Sequence, residues 1–169
     1  ASVERALKVA RYKSGKYTIE RPLHFGALIA GASPETISAL TEFGIPLGEA
    51  FQLRDDMLGI FGDPSVTGKP AGDDIREGKR TVLMAMTLER ADQASAAKIT
   101  AALGREDLTS DQIEEIRALI TATGAVKVVE DLIEGLLSTA LTAANSDEID
   151  PSARELLIEL ATSATRRSH

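Results

Sequence analysis

Asp55 and Asp56 stand side by side in the stretch FQLRDDMLGIFGD, residues 51–63. The stretch is mostly apolar and reads as a helix. On a helix Gln52 lies three and four residues before the pair, so the three polar side chains share one stripe. Phe51, Leu58 and Phe61 are expected to cover the other side. Adjacent carboxylates repel and raise each other's pKa unless a cation sits between or above them. Oxygen ligands suit a hard cation such as Mg²⁺, which keeps several waters and shares phosphate oxygens. From the helix alone two readings stay open: a metal-holding pair, or a solvated pair with Arg54 as local partner.

The next segment bears on that choice. Residues 62–80, GDPSVTGKPAGDDIREGKR, are rich in glycine and carry four basic and four acidic residues. Such a segment is too long for an ordinary connector and reads as a functional loop. Lys69 and Lys79 lie on it, just beyond the acidic stripe. Carboxylates that hold Mg²⁺ beside lysines that reach phosphate describe a diphosphate site. Gly62 to Lys69 is not a P-loop: five residues separate its glycines where four are required, and Pro70 stands where Ser or Thr would hold the metal. An EF-hand is excluded too, because its regular oxygen ligands and closing glutamate are missing.

The elements that must position these groups are helical throughout. Ala, Leu, Glu and Ile recur at helical spacing, and no long period-two alternation occurs. Residues 2–13 read as the end of a helix broken at Gly15. A second helix is expected over about 20–31, with Pro22 in its first turn and Gly26, Ala27, Ala30 and Gly31 forming a small-residue face for close backbone approach. Ser33 caps a third helix running to about Phe61, kinked near Gly44–Pro46. Further helices are expected from about Thr81 to Leu103, from a capping box at Thr109–Gln112 to Gly124, over about 125–144, and from Asp150-Pro151 onward.

The 169 residues suffice for one domain with a sizeable core. Apolar residues make up 43% and charged residues 27%, a globular composition. No apolar run reaches the length of a membrane span. The net charge of −7 argues against nucleic acid as a partner. Cysteine is absent, which excludes disulfides and thiolate metal sites and fits a reducing cytoplasm. The chain begins at Ala1 without a signal pattern, so the start of a longer protein is expected to be missing. His24 has no ligand-spaced partner and reads as structural.

The motifs resemble a known family. FQLRDD followed by GKPAGDDIREGKRT is similar to the second aspartate-rich region of the trans-isoprenyl diphosphate synthases, the polyprenyl synthetase family. YKSGKYTIERPLHFGA, residues 12–27, is similar to that family's upstream Lys-Thr element. The wording is closest to actinobacterial-type geranylgeranyl diphosphate synthases.

The resemblance implies an all-α fold, with residues 1–169 as the C-terminal half of an isoprenoid-synthase-type helical bundle. It implies a Mg²⁺-dependent enzyme that joins isopentenyl diphosphate to an allylic diphosphate, working in the cytoplasm as a homodimer. By position, Asp55 and Asp56 would hold metal. Lys13, Gln52, Lys69 and Lys79 would bind diphosphate, and Ser14, standing for the usual Thr, would stabilise the cation.

Two departures follow. The family's second motif commonly reads DDxxD, and its fifth position here is Gly59. The first aspartate-rich motif, on an upstream helix, is absent, so residues 1–169 alone are expected to be inactive. Asp73-Asp74 is an adjacent acidic pair but does not carry the motif. An alternative is a non-catalytic synthase-like subunit that binds diphosphate or a partner synthase.

Overall fold

The structure, a computed structural model, describes residues 2–68, 70 and 72–166, with backbone only at Val66 and Thr67. All regular elements among these residues are helices: α1 Val3–Ala10, a π-helical segment Arg11–Glu20, α2 Arg21–Ile29, α3 Pro34–Phe61, α4 Pro64–Thr67 and α5 Asp73–Arg76. Beyond them lie α6 Val82–Arg90, α7 Gln93–Ala102, α8 Ser110–Ala122, α9 Ala125–Ala144 and α10 Pro151–Thr165. The all-α expectation holds.

Three expectations need correction. Gly15 does not end a helix. The chain passes from α1 through the π-helical segment into α2, with the Arg21 N–H bonded to the Lys16 carbonyl. The span 62–80 is not wholly irregular, since it contains the single turns α4 and α5. The helix expected over 81–103 is two helices. At the junction Ala91 and Asp92 are extended, and the Asp92 carboxylate accepts from the Ser95 N–H at 2.9 Å, starting α7. The other start signals behave as read. Ser33 accepts from the Thr36 N–H at 3.1 Å, Thr109 and Gln112 form a capping box, and Asp150 caps α10.

The chain divides into two compact units. One contains Leu53–Glu130 with the first residues of the chain; the other contains Leu7–Gln52 with the residues from Asp131 on. The second unit has a core of Leu40, Phe43 and Leu47 from α3 with Leu137 and Ala140 from α9 and Leu157 from α10. In the first unit α3 buries Leu53, Met57 and Ile60, each at most 1% exposed, while Phe51, Leu58 and Phe61 are only half-buried. The apolar seam of this helix is therefore centred elsewhere than expected. Its end is fixed by Arg117, whose Nε donates to the Ile60 carbonyl at 2.6 Å.

The aspartate caps carry a pH dependence. Hydrogen bonds from Ser95 to Asp92 and from Ser152 to Asp150 hold both carboxyls below the usual range. A depressed folded pKa gives stability that is complete above the unfolded value, about 3.9, and is lost as pH falls through the folded value. Glu49 and Asp74, pushed up by burial, act in the opposite sense. The cap contribution is isolated by Asp92→Asn/Asp150→Asn, because Asn still caps but does not titrate. Melting curves should show the wild type losing more than the double variant below about pH 4. Parallel curves would contradict this.

Candidate active site

The upstream element is built by a backbone crossing. A Cβ on Gly48 of α3 would lie 2.5 Å from the Gly15 Cα and 2.5 Å from the Ser14 carbonyl oxygen. Only two glycines allow the π-helical segment to lie this close to α3. Gln52 is one turn beyond Gly48, so the crossing delivers Ser14 to it. Ser14 Oγ donates to Gln52 Oε1 at 2.5 Å, and both residues are buried. The close approach expected at Gly26 and Gly31 occurs here instead; those two glycines face open space.

Lys13 is exposed at the same π-helical turn. Its carbonyl accepts from Thr18 Oγ1 at 3.0 Å, five residues on, in the wider π register. Glu20 is buried, with Arg21 and Lys16 each at 3.8 Å from its Oε2. His24 is structural as read: its Nε2 is 2.8 Å from Thr41 Oγ1.

In the other unit, α3 carries the carboxylate pair. Asp55 is exposed and Asp56 buried. Arg54 is not simply their counter-ion, because its guanidinium grips Glu130 of α9 through two bonds of 2.7 Å. That pairing weakens the reading of Asp55-Asp56 as a solvated pair balanced by Arg54.

Lys79 is held by the span before α6. Its Nζ bonds Asp74 and lies 2.9 Å from Glu77, and its N–H donates to the Asp74 carbonyl at 3.0 Å. Burial opposes charge on Lys79, but Asp74 and Glu77 outweigh it and hold the ammonium above its usual range. Burial, more than Lys79 can offset, pushes the Asp74 carboxyl up, and the charge of Asp55 adds to that rise. Asp55 and Asp74 therefore feel each other's field.

Asp73, Asp74 and Glu77 present carboxylate oxygens within 4.8 Å of one another. The Lys79 ammonium already supplies a cation to two of them. Asp74 was not among the site residues read from sequence. The available signal was Gly59, a missing side chain one turn from Asp55.

Of the sequence-derived residues, Ser14 is brought onto Gln52, with Lys13 beside it on the same turn. Asp55 and Asp56 share α3 in the unit that holds Lys79. Lys69 lies outside the described residues. Asp55 and Asp56 on α3, and the separate Asp73–Asp74–Glu77 group, offer only carboxylate oxygens, which suit a hard divalent cation.

A sequence model of the family described as polyprenyl synthetase matches residues 1–120. The geranylfarnesyl diphosphate synthase of Aeropyrum pernix is 36% identical over 124 residues, covering 73% of this chain and 37% of that protein. The geranylgeranyl diphosphate synthase of Mycobacterium tuberculosis is 36% identical, covering 70% of this chain and 34% of that protein. Among solved structures, the geranylgeranyl pyrophosphate synthase of Corynebacterium glutamicum, complexed with isoprenyl diphosphate and magnesium, is 49% identical with a TM-score of 0.93. That match covers 99% of this chain and 47% of the other. The chain thus spans about a third of the length of these curated relatives and about half of that structure. The helical fold is that of the isoprenyl synthases, and the chain belongs to the polyprenyl synthetase family.

Proposed function

We propose that this chain is the C-terminal half of a Mg²⁺-dependent prenyltransferase of the cytoplasm. The complete enzyme joins isopentenyl diphosphate to an allylic diphosphate, giving a longer (E)-polyprenyl diphosphate such as geranylgeranyl diphosphate. The observation that carries this reading is the Asp55-Asp56 pair on α3, in the same compact unit as Lys79 held as a cation. The 49% identity to a synthase solved with isoprenyl diphosphate and magnesium supports it.

Asp55 and Asp56 would hold the ion, and Asp74 would offer a further oxygen. When bound, Mg²⁺ neutralises charge on the leaving diphosphate. Lys13, Lys69 and Lys79 bind the diphosphate oxygens, where charge grows as the allylic C–O bond breaks and its electron pair leaves. Ser14 fixes the amide of Gln52, which serves as a hydrogen-bond donor beside the diphosphate. The double bond of isopentenyl diphosphate then adds to the allylic carbon, and the cation so formed loses a proton to the released diphosphate, giving the product. The Ser14 hydroxyl and nearby carbonyls orient their dipoles toward the cation.

Tyr17, Phe25, Leu28 and Ile29 leave large apolar side chains 59–90% exposed. A second copy of the enzyme covers such a face in the homodimer we infer.

The test is a radiolabelled isopentenyl diphosphate assay on the complete protein, with Mg²⁺ and allylic primers of several lengths. Longer prenyl diphosphates are expected. Inactivity with every primer would favour the non-catalytic subunit, and robust product from residues 1–169 alone would show the machinery is misassigned.

A further inference from the structure

The fifth position of the second aspartate-rich motif is Gly59, one helical turn from Asp55. Its space is not empty. A Cβ on Gly59 would lie 2.7 Å from Asp74 Oδ1 and closer still to Asp74 Cγ and Oδ2. No side chain fits at 59 while Asp74 stays where it is. Asp74 is 5% exposed, and a carboxylate buried that deeply needs partners. It has Lys79, bonded both by ammonium to carboxylate and by backbone N–H to carbonyl.

We propose that Gly59 and Asp74 are a matched pair. Gly59 is the seat for the Asp74 carboxylate, which takes the place along α3 that the motif's third acid would occupy and positions Lys79 there. The acid missing from the helix is thus delivered from α5, together with a cation. Asp74 is a positioning residue for Lys79 and an oxygen donor one turn from Asp55. This rests on reading Asp55-Asp56 as a metal–diphosphate site.

The pairing makes a reciprocal prediction. Gly59→Asp alone forces two carboxylates into one space and should lower the melting temperature by about 5 °C. Asp74→Asn keeps the shape and should stay within about 2 °C of the wild type. It should, however, lose most of the stabilisation that Mg²⁺ with pyrophosphate gives the wild type. Gly59→Asp/Asp74→Ala moves the acid back to the helix. It should melt higher than Gly59→Asp and regain the Mg²⁺–pyrophosphate response that Asp74→Ala loses.

The experiment is differential scanning fluorimetry of these variants with and without Mg²⁺ and pyrophosphate. The proposal is overturned if Gly59→Asp melts like the wild type, or if the double variant melts no higher than Gly59→Asp. An intact ligand response in Asp74→Asn overturns the positioning role. If the wild type itself shows no response, the metal–diphosphate reading falls, while the melting temperatures of Gly59→Asp and the double variant still decide the pairing.

Discussion

Asp55→Ala in the complete protein is expected to lower kcat by about 10²–10³, the loss typical of one main electrostatic contact in a transition state. The fold should be nearly indifferent to the change. Asp55 is exposed, so its removal leaves neither a cavity nor a stranded partner. Asp56 differs, being 8% exposed on the same helix. Asp56→Ala should therefore lose stability as well as turnover. Steady-state kinetics paired with melting curves separates the two. A loss of kcat in Asp55→Ala at unchanged melting temperature marks a functional group, and a parallel fall in both would mark a structural one. Lys69→Ala should reduce kcat similarly, with a larger rise in KM for the allylic substrate, because that lysine is read as gripping the diphosphate in the ground state too.

Gly48→Ala is expected to cost about 3 kcal/mol, a fall of roughly 6–12 °C in melting temperature. Inside a helix Ala is otherwise the better residue by about 0.5–1 kcal/mol. Here the clash wins, because the new methyl would meet the Gly15 Cα and the Ser14 carbonyl at 2.5 Å, and both are backbone. Relief would require the π-helical segment to move off α3, which also separates Ser14 from Gln52. The control is Gly135 of α9, which faces nothing within 4 Å. Gly135→Ala should gain about 0.5–1 kcal/mol. Thermal melts of both variants check the pair, and equal effects would contradict the backbone-crossing account.

Helix boundaries marked by side-chain chemistry were legible in the sequence. Ser33, Thr109 and Asp150 each announce a cap, and each caps. Gly15 misled because an isolated glycine reads as a breaker, whereas here it serves a contact with Gly48, 33 positions away. The same long-range crossing puts the close backbone approach at Gly15 and Gly48, while Gly26 and Gly31 meet nothing of this chain within 4 Å. Asp92 stands in an alanine-rich, helix-favouring stretch, where its carboxylate caps the start of α7.

The candidate site divides in the same way. Spacing alone puts Gln52, Asp55 and Asp56 on one stripe of one helix, while their roles come from the family resemblance. That Ser14 meets Gln52 depends on the crossing of two backbones. Asp74 lies within the stretch that resembles the family, but the Asp73-Asp74 pair does not itself read as an aspartate-rich motif. Its position depends on the missing side chain at Gly59, where the motif shows a gap without showing which group fills it.

We propose that Asp55 and Asp56 hold Mg²⁺ jointly with a diphosphate. Two carboxylates leave most of an octahedral shell to water and phosphate oxygen, so metal and diphosphate should each strengthen the other's binding. Calorimetric titration of Mg²⁺ into this chain, with and without pyrophosphate, measures this directly. The affinity should be about tenfold or more higher with pyrophosphate present, and Asp55→Ala/Asp56→Ala should lose that gain. Equal affinity in both titrations, or a gain that survives in the double variant, would contradict it.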